Sequence, residues 1–441
     1  MEKSILNKFV KYVSLNILGM IGLSCYILAD TFFVSKALGT TGIAALNFSI
    51  SAYSVIHGTG LMIGIGGAAR YSILKSQNED KIANQVFTTC IKLGTFIGVL
   101  YAIIGISGSE YLALILGADN STLALTKTYL MTILCFAPFF ILNNVVLAFV
   151  RNDNNPNLSM IAMLIGSFSN VILDYIFMFP FGMGMFGAAF ATGLAPIISM
   201  AILSTHFLKR KNNFRYTSTR IIKSTVSDIF KLGLSAFITE VSSAVVLITF
   251  NLVILEINGN LGVASYGIVA NIALVCMSIF TGIAQGIQPL ISNSYGLKDN
   301  EALRKIQKYA IITSLSIATF IYFSMFFNTD SIISIFNSDQ NLEVAQIAEI
   351  GIKVYFLGFF FTGINIIMAI YLSVTERTKY AFIISIARGC IVIVPLVLIL
   401  SSIWEMNGVW LAFVLTEFIV TTSIIIVSSL KNRISIKRLP Y

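Results

Sequence analysis

The stretch Leu38-Gly39-Thr40-Thr41-Gly42-Ile43-Ala44-Ala45 returns 220 positions later in the chain as Asn258-Gly259-Asn260-Leu261-Gly262-Val263-Ala264-Ser265. Both glycines of the first copy are glycines in the second. The same offset pairs Gly66 with Gly286 and Ser72 with Ser292, and it aligns residues 116–120 with residues 336–340. We interpret the chain as two copies of one unit of about 220 residues.

The composition around these repeats is that of an integral membrane protein. Of the 441 residues, 56% are hydrophobic and only 11% are charged, against about 25% charged in an ordinary soluble domain. The mean hydropathy is +0.86. Apolar runs close to the roughly 20 residues that cross a bilayer as a helix fall at 11–36, 43–69, 84–107, 123–149, 157–179, 186–208, 229–256, 261–290, 309–329, 344–373, 380–403 and 408–430.

These runs predict an all-α membrane protein with twelve transmembrane helices, six in each copy. Because six is even, both copies enter the membrane in the same orientation. We therefore expect two six-helix bundles related by a pseudo-two-fold axis along the membrane normal, an arrangement typical of transporters. The predicted divisions are an amino-terminal lobe (1–208), a polar linker (209–225), a carboxy-terminal lobe (226–430) and a basic tail (431–441).

The net charge of +9 indicates how the chain is oriented in the membrane and does not indicate a nucleic-acid partner. Lysine and arginine are concentrated at both termini and in alternate loops, whereas the remaining loops and their flanks hold only Lys36, Lys127 and Lys353. The positive-inside rule then predicts a multi-pass protein of the cell membrane with both termini in the cytoplasm. Residues 1–10 lead into the first run without a small-residue cleavage site, so we expect no cleaved signal peptide.

Two acidic residues lie deep in apolar runs of the first lobe, where a carboxylate costs about 2.5 to 3.5 kcal/mol. Asp30 lies in the first predicted helix and Asp174 in the fifth, at similar depth. Asn170 precedes Asp174 by four residues and shares its helical face. A buried carboxyl beside a second one can take up and release a proton, so we interpret the pair as a cation-coupling site rather than as a structural contact.

The second lobe has acids of its own. Glu240 lies in the middle of the seventh predicted helix, where it can face a central cavity and attract cations. Glu417 in the twelfth helix and Arg388 in the eleventh are predicted to form a structural ion pair.

Other chemistry is not indicated. His57 and His206 have no metal-ligand spacing, and we expect an internal polar group and a cytoplasmic interface residue, respectively. The five cysteines are scattered singly in apolar runs, which predicts no disulfide framework. The segment from Met178 to Phe186 is predicted as an outer loop. There is no Walker A motif and no hydrolase constellation, so the sequence predicts neither an enzyme nor a bound cofactor.

The chain resembles a known family, the multidrug and toxic compound extrusion (MATE) transporters. The resemblance rests on several motifs that occur in the right order over nearly the whole chain. They are residues 29–35 followed by Leu38-Gly39, Arg151-Asn152-Asp153 followed by Pro156, Asn170 with Leu173-Asp174, residues 184–192, Gln285-Gly286-Ile287-Gln288-Pro289-Leu290 with Gly296, and residues 408–412 with Glu417.

The resemblance implies a twelve-helix, two-lobe exporter, usually a monomer within membrane lipid, that drives organic cations outward against entry of H+ or Na+. The implied cation site consists of Asp30, Asn170, Asp174 and Thr192. Na+ at this site is the one metal ion that the resemblance implies. Glu240 and Gln285 are implied as substrate-cavity positions.

The chain departs from the family at two points, and the second favours coupling in the amino-terminal lobe. Residues 11–36 lack the proline that kinks the first helix of many members, so a hinge there would use Gly19 or Gly22. Residues 354–373 lack the acid of members with a sodium site in the second lobe. The sequence leaves the choice between H+ and Na+ open.

Two other transport functions remain as alternatives. A flippase for lipid-linked saccharides shares this fold class, but such proteins line the cavity with arginine and lysine. Here Arg388 is the only basic residue predicted deep in the membrane, so the cavity is expected to be acidic and to favour cationic drugs. A channel is disfavoured by the two-lobe duplication.

Overall fold

The computed structural model describes residues 2–218, 220–336 and 341–436. Within these ranges the chain is helical almost throughout and contains no strand. A helix satisfies its backbone donors and acceptors within one segment, which is what a chain this apolar requires inside a bilayer.

The first half contains six membrane-spanning helices. The continuous helix Glu2–Ser76 breaks at Gly39 into α1 (2–38) and α2 (40–76). Next come α3 (Asp80–Ile115) and α4, which is the pair Leu123–Cys135 and Ala137–Asn152 bent by 47°. The half ends with α5 (Pro156–Met178) and α6 (Gly184–Leu208).

The second half repeats this pattern. The helix Lys223–Gly296 breaks at Gly259 into α7 (223–258) and α8 (260–296). After α9 (Asn300–Phe327) and the short helix Thr329–Phe336, α10 runs over Leu342–Tyr355, Phe356–Gly358 and Phe359–Val374. The last pair is α11 (378–403), which contains the π turn Ala387–Ile391, and α12 (406–436), which follows a break at Trp404 and Glu405.

These helices confirm the predicted all-α, twelve-helix fold. Eight helices of the described ranges are long and apolar enough to cross a membrane, and the bent pair adds one more. Three of the eight contain an internal break and so supply two crossings each. α7 begins at Lys223, so the last residues of the predicted linker are helical. Residues 437–441 of the predicted tail lie outside the described residues.

The breaks at Gly39 and Gly259 show the internal repeat in the backbone itself. Gly39 has φ 62° and ψ −152°, and Gly259, at the equivalent position, has φ 58° and ψ −148°. This region of backbone space is essentially restricted to glycine. The repeated glycine therefore encodes the same sharp reversal between the first two helices of each half.

We expect Gly39→Ala to destabilise the protein by about 1–3 kcal/mol, the usual cost of a strained backbone conformation. No atom lies within 4 Å of a Cβ placed at Gly39, so the penalty comes from the backbone alone. Thermal unfolding of the purified protein in detergent measures it. Gly108→Ala is the matched control, because Gly108 also has open space around it but no positive φ. Equal unfolding temperatures for the two variants would contradict this account.

The amino lobe (α1–α6) and the carboxy lobe (α7–α12) pack together through glycines at the end of the molecule that carries the basic loops. A Cβ at Gly286 of α8 would lie 2.8 Å from Cα of Val13 in α1, and Gly282 approaches Ile17 in the same way. Gly233 of α7 and Met62 of α2 are in still closer backbone contact. Small residues let helix backbones approach closely in a membrane, so these glycines determine how tightly the lobes close.

Polar contacts between the lobes strengthen the same end. Arg70 contacts Asp228 at 3.3 Å and Glu376 at 3.2 Å. Nearer the middle of the molecule, the hydroxyls of Ser24 and Ser278 are 3.0 Å apart. The lobes are thus closed on the side of the basic loops, and the elbows at Gly39 and Gly259 lie on the opposite side.

Candidate cation and substrate site

The four residues expected to form a cation site meet inside the amino lobe. Asp30 on α1 is 6% exposed, and Asp174 on α5 is completely buried. With the Asn170 amide turned to satisfy its neighbours, its nitrogen donates to Oδ2 of Asp174 at 3.2 Å. Its oxygen then accepts from the backbone N–H and the hydroxyl of Thr192 at 3.2 and 3.3 Å. The hydroxyl of Tyr129 on α4 approaches Asp30.

Both carboxyl groups keep capacity for a ligand. Among the residues that the structure describes, Oδ1 of Asp30 and Oδ1 of Asp174 have no hydrogen-bond partner, although both atoms are buried. A buried polar atom without a partner costs free energy unless a proton, an ion or water satisfies it. Two such oxygens in one lobe, with amide and hydroxyl groups around them, can hold a proton or a small cation.

A tyrosine pair borders this site and was missed by the sequence interpretation. The hydroxyls of Tyr26 on α1 and Tyr53 on α2 are 2.8 Å apart. Tyr26 precedes Asp30 by four residues, and Tyr53 precedes His57 by four, so each pair shares a helical face. That spacing is the signal that could have identified the tyrosines. Helix packing, which sequence does not reveal, adds Tyr129.

A small cavity of about 80 Å³ lies beside the carboxyl pair. Its lining combines apolar and aromatic side chains with eight polar or charged ones. Thr192 and Gln285 line the cavity, whereas Asp30 and Asp174 do not. The cavity is also lined by Tyr26, Tyr53, His57, Asn143, Arg151 and Ser199.

His57, predicted as an internal polar group, lies against an acid of the other lobe. Its Nδ1 lies 3.2 Å from Oε1 of Glu240 on α7, and its ring stacks on Tyr53 at 5.7 Å between centroids. The contact is short but lacks hydrogen-bond geometry, so within the described residues the buried Nδ1 has no hydrogen-bond partner. Glu240 does not line the cavity itself, but its contact with His57 joins the two lobes at the cavity wall. Sequence reasoning missed the contact because it crosses between the repeats.

Arg151 is a buried basic residue at the cavity that the sequence analysis did not predict. It lies in the last turn of Ala137–Asn152, is 3% exposed and lines the cavity. Its Nη1 donates to Oδ1 of Asn16 and to Oε1 of Gln285, each at 2.8 Å. Arg388 is therefore not the only deep basic residue, and the cavity is not uniformly acidic.

His206, expected at an interface with the cytoplasm, is instead 2% exposed. Its Nε2 lies 2.9 Å from Oδ2 of Asp153. The same carboxylate accepts from the backbone N–H of Asn213 at 2.8 Å and from its side-chain amide at 2.9 Å. This cluster fastens the segment after α6 to the amino lobe, so His206 anchors the connection between the lobes.

Arg388 and Glu417 form a buried ion pair in the carboxy lobe. Nη2 of Arg388 lies 2.7 Å from Oε1 of Glu417, and its Nε donates to both carboxylate oxygens. The amide of Asn365 on α10 also donates to Oε2 of Glu417 at 2.6 Å. The pair is well satisfied and lies away from the cavity lining, as a structural contact would.

We expect Glu417→Gln to destabilise the protein by about 3–5 kcal/mol, because it leaves the Arg388 charge buried without a counter-charge. Removing both charges in the double variant Arg388→Gln/Glu417→Gln should restore part of that loss. Thermal unfolding of the three proteins measures both effects. A single variant as stable as the parent would mean that the pair contributes nothing to packing.

The fold and the buried carboxyl site together define a polytopic membrane protein of two packed six-helix bundles with a polar centre in one bundle. The chain belongs to the MatE family, whose model matches residues 16–176 and 236–399. This confirms the resemblance seen in the sequence motifs.

The relatives are similar over almost their full length. The chain is 27% identical to the multidrug export protein MepA of Staphylococcus saprophyticus over 94% of this chain and 91% of that protein. It is 26% identical to MepA of Staphylococcus aureus (strain MRSA252), over 99% and 96%, respectively.

Solved structures share the fold. An outward-facing multidrug resistance MATE family transporter of the MOP superfamily superimposes with a TM-score of 0.90 at 22% identity, over 98% of this chain and 95% of that one. A variant of the Vibrio cholerae MATE transporter VcmN gives a TM-score of 0.89 at 19% identity, over 98% of each chain.

Proposed function

We propose that this protein is an antiporter that exports organic, mainly cationic, drugs or toxins across the cell membrane in exchange for H+ or Na+. Family membership and the similarity to multidrug export proteins of two staphylococci support export of small molecules. The observation that carries the coupling is the pair Asp30 and Asp174, two buried carboxyl groups in membrane-spanning helices. Each has an oxygen without a hydrogen-bond partner in the described part of the chain.

The proposed mechanism assigns each group of this site a role. Asp30 and Asp174 take up the entering cation, while Asn170 and Thr192 complete its oxygen shell or hold the protonated carboxyl. Cation uptake removes negative charge between α1, α5 and α6 and changes how these helices pack. Thr192 belongs both to this site and to the cavity lining, so a shift of α6 reaches a bound drug directly.

The lobes then alternate between two arrangements. Their closure on the side of the basic loops leaves the other side as the exit. In the orientation given by the positive-inside rule, this is the outward-open arrangement. Glycine contacts close this interface, and a rigid-body rocking of the lobes would open it. We propose that the protein works as a monomer in the cytoplasmic membrane with both termini in the cytoplasm.

Reconstitution into liposomes tests this function. Protein-dependent movement of ethidium is followed by fluorescence while a proton gradient or a sodium gradient is imposed separately, with the membrane potential clamped. We expect one of the two gradients to drive ethidium against its concentration difference, which names the coupling ion. If neither gradient drives ethidium but a fluorescent lipid-linked phosphate sugar crosses the bilayer, the protein is a flippase instead.

A further inference from the structure

The connection between the two lobes carries a concentration of positive charge that the export mechanism does not use. Between α6 and the first turn of α7 the chain has six basic residues, whereas residues 175–227 contain no aspartate or glutamate. All six basic side chains are exposed, and they are Lys209, Arg210, Lys211, Arg215, Arg220 and Lys223. This segment therefore presents positive charge without any acid of its own.

Other basic residues on this side of the molecule are neutralised by acids nearby. Lys75 contacts Asp80 at 2.7 Å, and Lys305 contacts Glu301 at 2.6 Å. By contrast, the salt bridges of the described residues include none of Lys209, Arg210, Lys211 and Arg215. The positive-inside rule accounts for basic residues on this side, but not for their separation from every acid. The unbalanced charge can attract an anionic partner.

The middle of the segment is fixed against the amino lobe. The ring of Phe214 is fully buried. The backbone N–H of Arg215 donates to Oδ1 of Asn84 on α3 at 2.9 Å. Two residues further on, the backbone N–H of Thr217 donates to the hydroxyl oxygen of Thr88, also at 2.9 Å. Because the backbone is held in place, the exposed side chains form a preorganised surface, which lowers the entropy cost of binding.

Exposed apolar side chains accompany these charges. Leu208, the last residue of α6, is 78% exposed, and Tyr216 is 60% exposed. Ile221 and Ile222, which directly precede α7, are exposed as well. Both ends of the segment continue into membrane-spanning helices, so it lies close to the bilayer surface, where tyrosine is a favoured residue. Basic side chains beside aromatic and aliphatic ones are typical of surfaces that bind anionic lipid.

From this combination we propose that residues 208–218 and 220–223, the basic linker surface, bind anionic phospholipid headgroups of the cytoplasmic leaflet. The ammonium and guanidinium groups contact the lipid phosphates, while Leu208 and Tyr216 contact the upper part of the acyl chains. The cytoplasmic leaflet has a negative surface potential, so the charges are complementary. The inference rests on the proposed orientation of the chain and is independent of the exported compound and of the coupling ion.

Two lipids with the same acyl chains provide the test. Phosphatidylglycerol is anionic and phosphatidylcholine is not, and native mass spectrometry measures the affinity of each for the purified full-length protein. A basic residue near an anionic lipid surface contributes about fivefold in affinity. The triple variant Lys209→Gln/Arg210→Gln/Lys211→Gln should therefore weaken phosphatidylglycerol binding by more than about tenfold and leave phosphatidylcholine binding unchanged.

The matched control is Lys298→Gln/Arg304→Gln/Lys308→Gln in the carboxy lobe. It removes three exposed positive charges on the same side of the molecule. Each triple also changes one residue with positive φ, which is 52° at Arg210 and 59° at Lys298, so the backbone strain is similar. We expect the control to keep the preference of the parent protein for phosphatidylglycerol.

Several outcomes would overturn the inference. Equal affinity of the parent protein for the two lipids, or an equal loss of phosphatidylglycerol binding in both triple variants, would mean that the linker has no special role. Displacement of phosphatidylglycerol by inorganic phosphate or by polyglutamate at matched ionic strength would show that the surface binds soluble anions or acidic peptides instead. Ethidium movement in liposomes of phosphatidylcholine alone still reports whether export itself occurs.

Discussion

Asp30→Asn is expected to abolish gradient-driven export while leaving the protein folded in the membrane. Asparagine keeps the shape of the side chain but can neither take up a proton nor neutralise a sodium ion. For an electroneutral exchange, a hundredfold gradient of the coupling ion sustains up to about a hundredfold gradient of drug. That gradient should disappear in the variant. Ethidium accumulation in proteoliposomes, normalised to the amount of reconstituted protein, is the measurement.

The matched control is Asp119→Asn, the same chemical change outside the membrane. Asp119 lies in the turn between α3 and α4, where the hydroxyls of Ser121 and Thr122 and the backbone N–H of Thr122 lower its pKa to about 2. This carboxylate therefore stays ionised at every pH used and cannot exchange protons during transport. Coupling in the amino lobe is supported if Asp119→Asn accumulates ethidium normally and Asp30→Asn accumulates none. Full accumulation by Asp30→Asn would exclude it and direct attention to Glu240.

The second large effect is expected from Gly233→Val, which should stop transport by preventing the lobes from closing. A Cβ at Gly233 would collide with the backbone carbonyl of Met62 in the opposite lobe. Backbone atoms cannot move aside as a flexible side chain can, so the interface must separate. We expect transport to fall to the level of empty liposomes, while drug binding from the side of the basic loops persists.

Accessibility to a thiol reagent measures the separation. A single cysteine placed at Ser76, whose hydroxyl lies against Gly296 of the other lobe, should react faster in the Gly233→Val background, after replacement of the native cysteines. Gly108→Val adds the same side chain where no atom lies within 4 Å, and should leave both labelling and transport unchanged. Normal transport by Gly233→Val would mean that this tight packing is not part of the cycle.

The sequence predicted the fold well because its main signals are local. Apolar length reveals the crossings, and a duplicated glycine motif shows both the repeat and the position of each elbow. Asp30 and Asp174 were recognisable for a similar reason, since an acid inside an apolar run is conspicuous. The spacing of Asn170 and Asp174 placed them on one face without any knowledge of packing.

What sequence could not supply depends on contacts between distant segments. Arg151 lies at the end of an apolar run beside Asn152 and Asp153, a composition typical of a loop. In the structure it belongs to the last turn of a helix, and this turn directs its side chain inward. The sequence predicts His206 at the cytoplasmic boundary because it does not reveal that the chain after α6 folds back and covers this residue. The contact of His57 with Glu240 crosses from one repeat to the other, and no periodicity within a helix could have revealed it.

The elbows at Gly39 and Gly259, and the break at Trp404 and Glu405, have a practical consequence for reagents that recognise this protein. At these three places a helix turns directly into the next one, so that face of the molecule offers few long loops that could adapt to an antibody or be cut by a protease. Conformation-specific binders to this face should therefore recognise a rigid surface formed by the tight turns between helices. Epitope tags are better inserted in the turn at Gln77 and Asn78, where the chain already leaves the helix on the other face.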